Sequence, residues 1–250
     1  MRSFSAVFIA FVFGLTSARA DWAVTSTTSE FSSGRRVEHR HVVLRSASGD
    51  EAELDLAIFL NKDAGLRVID DREADDGLAA TMQRENCIAG VNGGYFDPEY
   101  APVGLLVSDG RVVTPLQKAR LLSGVVSVAK GRVQIQRVAS FSMKSKPSAA
   151  RQCGPFLIEN GKAVASLNNS RPARRTFVAS LGGDRAAIAY CSSVTLAELA
   201  DLLATPALQI QRALNMDGGS SSGFWFAGEN GVVYRREGKT VRDYIAVGAR

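Results

Sequence analysis

From Val37 onward, short apolar runs of strand length alternate with turn residues. Val37–Ser46 and Glu51–Asn61 are rich in β-formers and are separated by Ala-Ser-Gly-Asp, which predicts a hairpin. Leu66–Ile69 predicts a further short strand. Gly104–Val107 and Arg111–Val113 flank Asp109-Gly110, a pair that suits a type I′ turn because both residues tolerate positive φ. Similar hairpins are predicted around Lys130-Gly131, Glu159-Asn160-Gly161 and Gly182-Gly183-Asp184. Helical periodicity is confined to two places. Asp75–Arg84 opens on acids and predicts a short helix. Thr195–Leu203 puts Leu196, Leu199, Leu202 and Leu203 on one stripe, with Thr195 and Glu198 at capping-box spacing. Ser140–Ala150 and Ala165–Pro172 read as loops, and Asp243–Ala249 as a closing strand. Asp21–Arg36 is rich in Ser and Thr and reads as an N-terminal arm. The pattern predicts an α+β fold: one domain over residues 37–250, with a mixed, largely antiparallel sheet built from hairpins and a few packed helices.

Two apolar strands stop abruptly on a polar residue followed by two glycines. They are Val91-Asn92-Gly93-Gly94-Tyr95-Phe96 and Met216-Asp217-Gly218-Gly219-Ser220, the second within Leu214–Phe226. Glycines let a backbone bend sharply and let another group approach closely, and successive N–H groups in such a turn form a concave nest for an anion. Two such stops in one chain predict a shared pocket at strand ends, with Asp217 at its lip. The competing reading of each is a sharp turn, in which Asp217 only caps its own backbone.

Charge and the N-terminus narrow the setting. The 250 residues are 46% apolar and 22% charged, with a net charge of +5. That is ordinary globular composition. Residues 1–20 carry Arg2, an apolar core at Ala6–Leu15 that is too short to span a bilayer, and Ala18-Arg19-Ala20 as a cleavage site. They read as a secretory signal, so the expected location is periplasmic or secreted, without stable membrane insertion after signal removal. Cleavage removes two arginines and no acid. The arginines are otherwise spread along the chain, with one tight group at Arg171, Arg174 and Arg175, so nucleic acid is not an expected partner. Cys87, Cys153 and Cys191 allow one disulfide or three buried thiols and match no zinc spacing. No metal or other cofactor is expected.

Five segments in order carry a family resemblance: VNGGYFDPEYAPVGLLVSDGRV (91–112), QCGPFLIENGK (152–162), RRTFVAS (174–180), TLAELADLL (195–203) and ALNMDGGSSS (213–222). With these the chain resembles the phosphodiester glycosidase family over roughly residues 86–250. The part through about Glu85 carries no such motif. The resemblance implies cleavage of a sugar-1-phosphodiester, with a phosphorylated carbohydrate as partner. It implies a catalytic set of Asp217, Asn92 and Arg175. The implied substrate-binding set is Gly93, Gly94, Gly154, Thr176, Gly218, Gly219, Ser220 and Ser221. Ser220 and Ala179 stand where the family commonly has glycine, and Ser220 narrows the backbone cradle.

The residues fit that chemistry. A phosphodiester carries one negative charge that an arginine fork and turn amides can hold. Cleavage at the anomeric carbon passes through an oxocarbenium-like state, and the phosphomonoester leaves readily, so one carboxylate can suffice where ordinary glycosidases use two. Two other readings stay open: a non-catalytic module that binds a phosphorylated glycan, and a phosphodiesterase that cleaves P–O. Gly219-Ser220-Ser221-Ser222-Gly223 matches the hydrolase elbow G-x-S-x-G, but that elbow needs a later histidine, and the two histidines, His39 and His41, lie upstream. They alternate on one strand face and read as surface residues. Asp70, Asp71, Asp75 and Asp76 read as a solvated acidic loop rather than a calcium site. Phe224-Trp225-Phe226 is either core or a sugar platform, and Asp97 and Glu99 are reserve carboxylates.

Overall fold

Strand β1 (Trp22–Phe31) starts a run of antiparallel hairpins in a computed structural model that describes residues 21–73 and 76–250. The predicted signal and Asp75 lie outside the described residues. After β2 (Val37–Ser46), β3 (Glu51–Leu60) and β4 (Ala64–Asp70) comes helix α1 (Leu78–Arg84). Then follow β5 (Ala89–Asn92), β6 (Leu106–Ser108), β7 (Arg111–Thr114), β8 (Gly124–Ala129), β9 (Arg132–Arg137), β10 (Ala149–Cys153), β11 (Phe156–Glu159) and β12 (Lys162–Ala163). β13 (Ala173–Leu181) and β14 (Arg185–Val194) precede helix α2 (Leu196–Leu203). β15 (Ile210–Asn215), β16 (Phe224–Gly228), β17 (Gly231–Arg235) and β18 (Asp243–Ala249) follow.

The strands make three sheets, ordered β1-β2-β3-β14-β13-β15-β11-β12, β7-β6-β10-β8-β9 and β17-β16-β5-β18-β4. Every pair of named strands is antiparallel, so the expected mixed sheet is replaced by three antiparallel ones. The α+β expectation holds only coarsely: two α-helices among the described residues pack on a body that is mostly β. The hairpin turns form as their residues predict. Asp109 and Gly110, and likewise Lys130 and Gly131, both have positive φ.

One interior joins the sheets. Phe59, Val178, Ile188 and Leu214 of the large sheet meet Val91, Phe224, Phe226 and Ile245 of the third and Val126 of the second. The other face of the large sheet is covered by α2 through Leu199, Leu202 and Leu203. The outer face of the third is covered by α1 through Leu78 and Met82, with Trp225 beneath them. Phe224-Trp225-Phe226 is therefore core on both faces of β16.

Three local expectations change. The Ser/Thr-rich stretch read as an arm contains β1, an edge strand whose mid-section side chains are exposed. Alternation there is masked because little of the strand is apolar. The end of the predicted loop Ser140–Ala150 opens β10, which is wholly buried despite carrying Arg151 and Gln152. Helix α1 begins only at Leu78, where Glu237 supplies the missing cap by accepting from Leu78 N at 2.7 Å.

Helix α2 has its predicted capping box. Thr195 Oγ1 accepts from Glu198 N at 3.2 Å, and Thr195 N donates to Glu198 Oε2 at 2.8 Å. Thr195→Ala is expected to destabilise the protein by about 1 kcal/mol, read as a lower urea midpoint at unchanged slope.

Candidate active site

Asn92 ends β5, and its side chain ties the third sheet to the large one. Oδ1 accepts from the Thr176 hydroxyl on β13 at 2.7 Å and from Gly223 N at 3.2 Å. Nδ2 donates to Asp217 O at 2.8 Å and to Gly93 O at 3.3 Å. Both donors and both lone pairs of the amide are engaged. Thr176 is fully buried, and its own carbonyl accepts from Met216 N at 2.8 Å. The end of β5 and the segment that follows β15 are thereby tied together.

Asp217 follows directly. Its N–H donates to Gly93 O at 3.1 Å, joining the two Gly-Gly turns. Its Oδ1 accepts from Gly218 N at 2.9 Å, and its Oδ2 from the Ser221 hydroxyl at 2.5 Å. Burial raises its pKa above the ordinary aspartate value. The Ser221 hydroxyl, the Lys239 charge and the Gly218 N–H oppose the shift, and Asp243 adds to it. Gly219, with φ of 67°, starts a 3-10 turn through Ser221. The Gly218 amide serves Asp217. Among the described residues the Gly219 and Ser220 amides have no hydrogen-bond partner, as is usual for the first N–H groups of such a turn.

Arg175 on β13 is the third member. Its Nε donates to Val194 O at 3.0 Å and its Nη2 to Arg171 O at 2.6 Å. A Cβ added to Gly218 would sit 3.4 Å from Nη1, so the guanidinium lies beside the turn. It is 9% exposed, and among the described residues no carboxylate pairs with it. Burial lowers its pKa, as expected of a desolvated cation. Carbonyls hold this arginine in place without neutralising it, which leaves it suited to an anion.

The glycine pair in the first turn has a different neighbour from the one expected. The Arg151 and Asp243 side chains are fully buried and joined by two hydrogen bonds, Nε to Oδ1 at 2.9 Å and Nη2 to Oδ2 at 3.0 Å. Arg151 also donates to the carbonyls of Tyr95, Val103 and Gln152. Asp243 Oδ1 accepts from Gly94 N at 3.2 Å, and its carbonyl accepts from Gly93 N at 2.7 Å. A Cβ on Gly93 would fall 1.7 Å from Asp243 Oδ1, and one on Gly94 would fall 2.6 Å from Arg151 Cζ. The close approach signalled by Gly93-Gly94 is that of this internal pair. Gly154 is similarly confined: a Cβ there would meet Leu121 O at 2.3 Å. The Gly154 carbonyl accepts from the Tyr95 hydroxyl at 2.6 Å and from Asn215 Nδ2 at 3.0 Å.

Sequence reasoning missed Arg151, Asp243, Tyr95 and Lys239. The fields of Asp217 and Arg175 both reach the Tyr95 phenol, whose pKa burial raises. Ser220 is exposed and Ser221 buried. Asp97 closes its own loop by accepting from Glu99 N and Ala101 N. The three cysteines are buried free thiols, and burial raises each of their pKa values. Asp70 pairs with Arg242 and Arg111, and Asp76 with Arg84.

His39 and His41 are not surface residues in the expected sense. Both contact Asp55 Oδ1, at 2.9 and 3.0 Å, while Arg235 Nε donates to Oδ2 at 2.8 Å. Burial pushes the Asp55 pKa up, but the hydrogen bonds from His39, Arg235 and His41 outweigh it and hold it at about 2. His39 packs against Phe224 and Phe226, so β2 turns these side chains toward the interior.

Comparison with known proteins follows the same outline. The Escherichia coli (strain K12) uncharacterized protein YigE is 36% identical over 78 residues, which is 28% of this chain and 31% of YigE. The chain thus matches about a third of the length of that curated relative. Among solved structures, the zebrafish N-acetylglucosamine-1-phosphodiester alpha-N-acetylglucosaminidase catalytic domain, auto-inhibited by its pro-peptide, aligns with a TM-score of 0.65 at 13% identity. That alignment covers 90% of this chain and 88% of that one, so the fold likeness reaches into the N-terminal third, where motifs are absent. A hypothetical protein from Synechocystis aligns with a TM-score of 0.62 at 14% identity, covering 86% of this chain and 62% of that one. At such identities the likeness concerns fold alone. The family model described as phosphodiester glycosidase matches residues 85–248, which spans β5, β13, the Asp217 turn and Asp243, and the chain belongs to that family.

Proposed function

We propose that this protein hydrolyses a sugar-1-phosphodiester at the bond between the anomeric carbon and oxygen. The observation that carries the reading is the meeting, at one turn, of a half-buried carboxylate, Asp217, with a buried arginine that has no carboxylate partner among the described residues. Family membership and the fold likeness support the same reaction class.

In this reading Arg175 and the Gly219 and Ser220 amides hold the phosphate oxygens. Ionised Asp217 lies next to them, where it stabilises the positive charge that develops at the anomeric carbon or takes a proton from the attacking water. The C–O bond breaks, the electron pair leaves with the phosphomonoester, and water supplies the new hydroxyl on the sugar. Asn92 has no free hydrogen-bonding capacity and acts by positioning the Asp217 backbone rather than by touching the sugar. The secretory signal read in residues 1–20 supports action outside the cytoplasm, on an envelope or extracellular glycan.

Hydrolysis of a panel of sugar-1-phosphodiesters in oxygen-18 water tests this. The label is expected in the released sugar. Label in the phosphate would mean P–O cleavage, and saturable binding without turnover would mean a binding module.

A further inference from the structure

Beside the Asp217 turn, two loops bring together groups that the reaction above does not use. Phe96 and Tyr100, in the β5–β6 loop, stack with ring centroids 5.1 Å apart. Lys239, in the β17–β18 loop, places Nζ 4.6 Å from the Phe96 centroid. The neighbouring Thr240 hydroxyl is 2.9 Å from the Tyr100 hydroxyl, so the two loops are pinned to each other. Gly238 N donates to Ser220 O at 2.7 Å, which pins them to the Asp217 turn.

Lys239 is exposed, and among the described residues no carboxylate lies within ion-pair distance of it. Its charge nonetheless acts on Asp217, opposing the rise of that carboxyl's pKa, so the ammonium lies within electrostatic reach of the turn. Arg175 reaches the same turn from β13, at Gly218. An anion held by Arg175 and the turn amides sets the anomeric carbon at Asp217. On the phosphodiester reading the sugar then lies toward the loop that Gly238 pins to Ser220. The Phe96 ring already stacks on Tyr100 and holds the Lys239 ammonium over it, so the exposed ammonium is the group suited to meet a negative substituent on the sugar.

We propose that Lys239, held over Phe96 and flanked by Tyr100 and Thr240, forms a sugar subsite that selects an anionic sugar, one bearing a carboxylate or a second phosphate. The proposal rests on the phosphodiester reading for its orientation, and its test separates the two. Binding of glucose 1-phosphate, glucuronic acid 1-phosphate and glucose 1,6-bisphosphate is measured by calorimetry, which needs no turnover. The intact protein is expected to bind one or both of the sugars that carry a second anionic group at least tenfold more tightly than glucose 1-phosphate. Preference for glucuronic acid 1-phosphate assigns a carboxylate, and preference for the bisphosphate assigns a phosphate. Lys239→Gln is expected to erase the preference, and Lys239→Arg to keep it. Equal binding of all three sugars by the intact protein would overturn the proposal, as would a preference that survives in Lys239→Gln. So would a uniform loss on all three in that variant, since Lys239 would then act only through the Asp217 turn. Failure of the phosphodiester reading shows separately, as absent turnover of the matching methyl phosphodiesters while the binding preference persists.

Discussion

Asp217→Asn is expected to lower kcat on a sugar-1-phosphodiester by about 10²–10⁴-fold, the range typical of a lost acid–base or charge-stabilising group. The substitution keeps the size and one accepting oxygen, and the Ser221 hydroxyl can reverse its role toward the new amide, so the turn is retained. A pH profile separates loss of the carboxylate from a general disturbance. Burial raises the Asp217 pKa, so the ionised form that works is populated only above the ordinary aspartate range. Wild-type kcat should rise with pH along a limb displaced upward from a solvated aspartate, and the residual activity of the variant should lack that limb. Stability carries the opposite sign. A carboxyl whose folded-state pKa is raised favours the fold most below its unfolded value, and that contribution is lost as pH rises through the folded value. Relative to wild type, Asp217→Asn should gain stability across that window and be at least as stable at neutral pH. Urea unfolding of both proteins at several pH values reads the difference. A variant with full activity would remove Asp217 from the chemistry.

The second large effect is on the fold. Asp243→Ala removes the carboxylate that pairs with the fully buried Arg151 guanidinium. Breaking one side of a buried ion pair costs about 3–5 kcal/mol, because the remaining charge stays in a poor solvent. Set against a typical stability of about 5–15 kcal/mol, this is expected to lower the urea midpoint sharply or to prevent purification of folded protein. Gly94 N would also lose its acceptor, Asp243 Oδ1, whereas Gly93, whose O is the acceptor for Asp217 N, keeps its bond to the main-chain carbonyl of residue 243. Where folded protein is recovered, a change in kcat greater than in KM would trace the damage to Asp217. A stability loss below about 1 kcal/mol would show that the pair is solvated in solution.

Much of this could be read before any coordinates. The hairpins, α2 with its cap, and the two strand-end turns all follow from local chemistry that acts within a few residues. What escaped reading depends on partners far apart in sequence. Arg151 and Asp243 are separated by 92 positions, and nothing local marks either as buried. β10 was missed for the same reason, since its polar residues are satisfied by distant groups. Gly93-Gly94 gave a true signal of close approach, but pattern alone does not say whether a ligand or the protein approaches. β2 shows a related ambiguity. Val42 and Leu44 pack on the α2 side, while His39 and His41 point inward to Asp55. A strand with hydrophobic residues on one face and histidines on the other reads as half-solvated unless the buried acid is known.

The steric confinement of Gly93 and Gly94 also bears on how this scaffold can be varied. With Asp243 and Arg151 filling the space where side chains would be, the turn beneath Asp217 offers evolution no handle. Variation can enter only around it, in the Phe96–Tyr100 segment and in the loop bearing Lys239, whose side chains are not enclosed in this way. A library built on this scaffold should therefore hold the Gly-Gly floor constant and randomise those two rims. Altered sugar preference would then arise without disturbing the carboxylate proposed to act at the anomeric carbon.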